Sequence, residues 1–175
     1  WVSEHAVSLG ADPERVAVGG DSAGGTLSAA IAVKAAEAGV PLRFQLLVYP
    51  ATDLVGATES RRLFGEGYFL TREFVELSLI SYVTGGQDVR DPLVSVSYTE
   101  KVPANLAPAL VVTAGFDPLR DEGEAYARML ADAGVRVELT RYPGLAHGFF
   151  NVVGLGPSMR AAVAEIAARL QSELH

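Results

Sequence analysis

Ser22 lies at the centre of Gly20-Asp21-Ser22-Ala23-Gly24-Gly25, a cluster of glycines with a single hydroxyl inside it. The short run Arg15-Val16-Ala17-Val18, with β-branched valines at 16 and 18, leads in, and an alanine-rich segment from Thr26 to Ala38 leads out. The stretch Gly20 to Gly24 fits G-x-S-x-G, the spacing of a nucleophile carried on a sharp turn between a strand and a helix. A serine on so tight a turn takes strained backbone angles, and the positions two residues either side must be small for strand and helix to close. The hydroxyl then projects beyond the sheet edge. The first helical N–H groups, starting with Ala23, point to where a negative oxygen would form. A glycine-rich turn that holds a phosphate is the alternative. No Gly-Lys-Ser/Thr follows, which excludes a Walker loop, and no G-x-G-x-x-G opens the helix, which argues against a dinucleotide turn.

The elements that must position this serine follow from hydrophobic patterning. Residues 2–9 read as the end of a helix stopped by Gly10, Asp12-Pro13 as a turn, and Arg15–Gly19 as the first strand. Leu27, Ile31 and Val33 continue the helix after the serine to about Ala38, with Gly39 as C-cap and Pro41 as stop. Leu42–Tyr49 is the second strand, ended by Pro50. From Ala51 to Pro108 no strand is expected, only an apolar helix after Thr71 (Phe74, Val75, Leu77, Leu79, Ile80, Val83). Connections usually run about 4–6 residues, so an excursion of this length reads as a lid or binding element, against the plainer reading of a surface embellishment. Ala109–Ala114 is a third strand, apolar throughout as in a sheet covered on both faces. A helix with Ala125, Met129, Leu130 and Ala133 on one stripe closes at Gly134, and Val135–Tyr142 alternates as a fourth strand. Pro143–Gly148 reads as a loop, and Met159, Val163, Ile166, Leu170 and Leu174 mark a terminal amphipathic helix.

Strand–helix alternation without hairpin turns predicts an α/β domain, a mostly parallel sheet of about four strands flanked by helices, with a helical insert between the second and third. The expected division is a core with the serine turn over 1–50, the insert over 51–108, and a core carrying acid and histidine over 109–175. In such sheets, ligands bind beyond the carboxyl ends of the strands. Ser22, Asp117 and His147 fall there, after the first, third and fourth strands. Asp117 before Pro118 is also a good helix N-cap, and Asp121 competes for the acid role, although one turn into the helix it suits the helix dipole. His5 lies in the opening helix and His175 is terminal, so His147 is the histidine at a strand's carboxyl end. The order Ser, Asp, His matches nucleophile, orienting carboxylate and base.

The sequence resembles the hormone-sensitive-lipase-like branch of the α/β-hydrolases, the bacterial family IV carboxylesterases. The matching stretches are Gly20 to Gly25, Tyr49-Pro50-Ala51-Thr52-Asp53, Asp117-Pro118-Leu119-Arg120-Asp121-Glu122-Gly123, and His147-Gly148-Phe149. The resemblance implies a serine esterase for short- to medium-chain esters. Ser22 is the implied nucleophile, His147 the general base and then acid, Asp117 the carboxylate that orients the imidazole, and the Ala23 N–H an oxyanion donor. No cofactor and no metal are implied. Members carry a His-Gly-Gly-Gly-type loop before the serine, which is not found in these residues. The expectation is therefore the C-terminal portion of a roughly twofold longer esterase, lacking the N-terminal half of the fold. Its first strand would leave an apolar edge for that half, or for a second copy, to cover. A non-catalytic small-molecule-binding relative and an amide or peptide hydrolase on the same fold are the competing readings.

The totals agree with a globular chain of 175 residues, 49% hydrophobic and 20% charged. A net charge of −7 without basic clusters argues against nucleic acid or an anionic membrane surface as partner, and the small-molecule ester is what the resemblance implies. Cysteine is absent, which excludes thiol catalysis, disulfides and cysteine–zinc sites. No apolar run approaches the roughly 18 residues of a membrane span. A cytoplasmic location is expected, any signal sequence lying upstream of Trp1.

Overall fold

Four parallel strands in the order β1-β2-β3-β4 form the sheet of the computed structural model, which describes residues 1–175. They are β1 (Ala17–Asp21), β2 (Phe44–Val48), β3 (Ala109–Phe116) and β4 (Val137–Ala146). Asp21 pairs with Val48 and Leu47 with Val111, so the ends of neighbouring strands are aligned by register. Side chains alternate between faces along each strand, and both faces are buried, which is why β3 reads as an apolar run interrupted only by Thr113. Leu47 and Val111 point to one core with Ala29, Ala32 and Val33 of α2 (Ala23–Glu37) and Tyr126, Ala127 and Leu130 of α5 (Arg120–Asp132). Leu46, Val48, Leu110 and Val112 point to the other, against Ala162 and Ile166 of α6 (Pro157–Leu174). The alanines of α2 let its backbone lie close to the sheet, and Gly19 does the same within it, where a Cβ would stand 3.1 Å from Leu46 Cβ.

Several boundaries differ from the sequence reading. The opening segment is not one helix over 2–9 but a single turn, α1 (Val2–His5), followed by a 3-10 turn over Val7–Leu9 that ends at left-handed Gly10. The first strand starts at Ala17, not Arg15. Residues Pro13–Arg15 are a 3-10 turn whose Glu14 N–H is accepted by the Asp12 side chain, and Arg15 pairs back to Asp12. It then runs on through both glycines to Asp21, because β2 supplies pairing partners that far. The expected loop after β4 is strand as far as Ala146, beyond an irregularity opposite Ala114–Phe116. Gly115 makes that approach feasible, since a Cβ there would fall 2.1 Å from the Pro143 carbonyl oxygen.

Residues 51–108 contribute no strand but two helices rather than one, α3 (Glu59–Phe64) and α4 (Arg72–Tyr82). Thr58 and Thr71 cap them, accepting from the N–H groups of Arg61 and Phe74. α3 is fastened to the start of α5: the Ser60 N–H donates to Asp121 Oδ2 at 2.7 Å and its hydroxyl to the Pro118 carbonyl at 2.8 Å. Asp121 thus anchors the insert, a partner the helix-dipole reading did not anticipate. Burial opposes its charge, but the Ser60 N–H and Arg120 outweigh that and hold its carboxyl below the usual range. Phe64 and Tyr68 pack on Phe116, the last residue of β3, and the Arg120 guanidinium lies over Phe64. α4 buries no residue completely. No helix is long and apolar enough to cross a membrane.

Candidate active site

β1 ends at Asp21 and α2 begins at Ala23, so Ser22 alone makes the turn, at φ 55° and ψ −120°. Those angles lie where a Cβ is disfavoured, and a serine there stores strain. Gly20 and Gly25 allow the turn. A Cβ on Gly20 would lie 2.5 Å from the Gly24 carbonyl carbon and oxygen, and one on Gly25 would lie 2.9 Å from Pro50 Cβ. Gly24 departs from the steric expectation, since a Cβ there would meet nothing within 4 Å. The close approach is to the Gly24 backbone, not to a side chain at that position.

The structure brings Ser22, Asp117 and His147 together. His147 Nε2 lies 2.9 Å from Ser22 Oγ, and its Nδ1 lies 2.8 Å from Asp117 Oδ2. A carboxylate can only accept, so Nδ1 carries the proton and Nε2 faces the hydroxyl as an acceptor. Asp117 is wholly buried and His147 nearly so. Asp117 does not cap α5, which starts three residues later. Its other oxygen accepts the Leu119 N–H at 2.8 Å, a local turn that fixes the carboxylate while Oδ2 remains for the histidine. The Ala23 and Gly24 N–H groups open α2 and have no carbonyl one turn back to bond, so the positive end of the helix lies beside Ser22.

A cavity of 320 Å³ opens at Ser22 and Ala23, lined by Leu27, Leu54, Leu70, Phe74, Leu79 and Tyr82, with Arg61 the one charged residue on its wall. Its walls are mostly apolar, and much of one side comes from α4. A larger hollow of 440 Å³ between α3 and α4, with Arg61, Arg62 and Arg72 on its wall, contains none of the three residues above. No group of three or more His, Cys, Asp or Glu is placed to hold a metal ion.

Three neighbours had no assigned role at the level of sequence. Tyr49, buried and at φ 36°, packs its ring 4.5 Å from that of His147. Asn151 donates to Asp21 Oδ2 at 2.7 Å from the turn after the histidine. Phe69, exposed at φ 59°, rests where a Cβ on Gly148 would be, 2.8 Å from its ring. Positive φ at an aromatic residue leaves no signal in sequence. The Tyr49-Pro50 pair was the visible part.

A family model described as the alpha/beta hydrolase fold matches residues 1–151. The chain belongs to the α/β-hydrolase family, in its hormone-sensitive-lipase-like branch. It is 43% identical to the carboxylic ester hydrolase LipN of Mycobacterium tuberculosis over 99% of this chain and 48% of that protein. It is 37% identical to an ethyl acetate hydrolase of Pseudomonas putida, over 99% and 55% respectively. A crystal structure of a thermostable esterase from Pseudomonas putida ECU1011 superposes with a TM-score of 0.93 at 41% identity, covering all of this chain and 56% of the other. The chain spans about half the length of the curated relatives it matches.

Proposed function

We propose that this chain carries the acyl-transfer residues of a serine carboxylesterase. The observation that supports it most is the unbroken relay from Asp117 through His147 to Ser22, with separations of 2.8 and 2.9 Å. His147 Nε2 takes the Ser22 proton as Oγ attacks the ester carbonyl carbon. The carbonyl oxygen becomes an anion beside the Ala23 N–H at the positive end of α2. As the tetrahedral intermediate collapses, His147 returns the proton to the leaving alcohol and an acyl-serine remains. Water then attacks the acyl carbon, losing its proton to His147, which returns it to Ser22 Oγ as the Oγ–acyl bond breaks and the carboxylic acid leaves. Asp117 holds the Nδ1–H tautomer and stabilises the imidazolium.

The 320 Å³ cavity beside Ser22, mostly apolar with the Arg61 guanidinium engaged by Glu122 on its wall, favours short- to medium-chain acyl or alcohol groups. Each oxyanion donor is worth on the order of 10²–10³ in rate, so turnover by these residues alone, with Ala23 as the donor in hand, is expected to be slow. The test is stopped-flow release of nitrophenol from p-nitrophenyl butyrate. A burst matching the enzyme concentration, lost in Ser22→Ala, is the expected result. Release that is unchanged in Ser22→Ala would sink the reading.

A further inference from the structure

The base of the relay has a support that is not itself part of the relay. Tyr49 follows β2, is buried, and donates its N–H to the Val112 carbonyl at 2.6 Å. Its ring lies against the His147 imidazole with centroids 4.5 Å apart and planes at 51°, and meets Phe149 edge-on at 5.4 Å. Its hydroxyl donates to Asp21 Oδ2 at 3.3 Å, and Asn151 Nδ2 donates to the same oxygen at 2.7 Å. Asp21 immediately precedes Ser22, and Asn151 lies four residues after His147. The three side chains therefore close a bridge between the serine turn and the histidine segment, with the Tyr49 ring as its wall. Burial and the Asp21 charge both raise the phenol's pKa, so the hydroxyl stays a donor.

We infer that Tyr49 is a positioning residue for His147: its ring holds the imidazole plane toward Ser22, and its hydroxyl ties that plane to the serine turn through Asp21. The inference rests on the esterase reading for its kinetic consequence, but not for its geometry. Without the ring, the imidazole has no wall on that side and can rotate about its side-chain bonds away from Ser22. The non-glycine φ of 36° accords with such a role, because strained backbone clusters at functional sites.

Two variants separate the parts. Tyr49→Phe keeps the wall and drops the tie, and Tyr49→Leu drops both. A base displaced by about 1 Å can cost on the order of 10²-fold, so kcat for p-nitrophenyl butyrate is expected to fall by that order in Tyr49→Leu, and less in Tyr49→Phe, with KM hardly moved. A merely structural tyrosine would lower the melting temperature of both variants and leave kcat of the folded fraction alone. The second readout needs no turnover. In ¹⁵N-histidine-labelled protein, the His147 Nδ1–H proton shared with Asp117 should give a sharp downfield resonance that survives in Tyr49→Phe and broadens or vanishes in Tyr49→Leu. Should Tyr49→Leu not fold, Tyr49→Met, which also removes the aromatic wall but fills the space with a flexible apolar chain, is expected to broaden the same resonance. A Tyr49→Leu protein, or in its place Tyr49→Met, that is folded and keeps both kcat and that resonance overturns the inference. If nitrophenol release by the unaltered chain is unchanged in Ser22→Ala, the esterase reading fails by itself, and the resonance decides the positioning alone.

Discussion

The Arg61 guanidinium reaches from α3 to the Glu122 carboxylate in α5 at 2.8 Å, joining the insert to the core beneath the site. Glu122 is buried, and Arg61 also donates to the Asp53 carbonyl at 2.6 Å, while the Asp53 N–H donates to Glu122 at 3.2 Å. Burial pushes the Glu122 pKa up to about 7, with Arg61 pulling against it. The protonated form is therefore favoured more in the folded chain than in the unfolded one.

The sign of the pH dependence follows. A carboxyl whose pKa is about 7 when folded and near its ordinary 4.5 when unfolded contributes stability that is complete below about pH 4.5 and lost as the pH rises through 7. The contribution is on the order of 3 kcal/mol at most. Urea unfolding of the unaltered chain should show this falling component between pH 5 and 8, and Glu122→Gln should lack it. A Glu122→Gln chain with the same slope would refute the assignment.

Gly115 and Pro143 set the spacing of β3 and β4 just before Asp117. A methyl group on Gly115 would fall 2.1 Å from the Pro143 carbonyl oxygen, well inside contact distance, and both partners are strand backbone that cannot turn aside. Gly115→Ala is expected to cost about 1–3 kcal/mol by urea denaturation, and to weaken the His147–Asp117 contact two residues on. Unchanged stability would mean that the strands part at no cost.

What could be read in sequence was what has a period or a chemically unusual residue. Four strands, the long excursion and the placement of Ser22, Asp117 and His147 at strand ends follow from apolar runs and glycine or proline punctuation. Helix α3 escaped notice because Glu-Ser-Arg-Arg-Leu-Phe is less than two turns long and shows no stripe. The Arg61–Glu122 pair spans 61 residues and looks in sequence like two ordinary surface charges. Tyr49 reads as one more core aromatic, since neither its φ nor the face of the imidazole it covers is encoded by a local pattern. The extension of β4 through Pro143 was hidden because Pro-Gly ordinarily marks a turn, and only the Gly115 gap opposite makes it strand.

Asp117→Asn would leave the shape of the relay intact and change its protons. The amide can donate to Nδ1, which stabilises the tautomer with the proton on Nε2, and that nitrogen then no longer accepts from Ser22. In the proposed esterase, kcat should fall by about 10⁴-fold with the melting temperature nearly unchanged. The His147 Nδ1–H resonance should vanish with it. Activity within tenfold of the unaltered chain would remove Asp117 from the relay.

Ser22 offers a test in which stability and activity move in opposite directions. At φ 55° and ψ −120° a Cβ costs about 1–3 kcal/mol, which glycine does not incur. Glycine has its own cost of about 0.5–1 kcal/mol, from the freedom it loses on folding. Ser22→Ala and Ser22→Gly both lose the hydroxyl and its bond to His147, so their difference isolates the strain. Elsewhere in a helix start or strand, glycine would be the less stable of the two. At this turn Ser22→Gly should be the more stable, by about 1 kcal/mol, or about 2–4 °C in melting temperature for a chain of this size. Both should lose the nitrophenol burst. If Ser22→Gly melts below Ser22→Ala, the turn holds no strain, and the hydroxyl stands there without energetic cost to the fold.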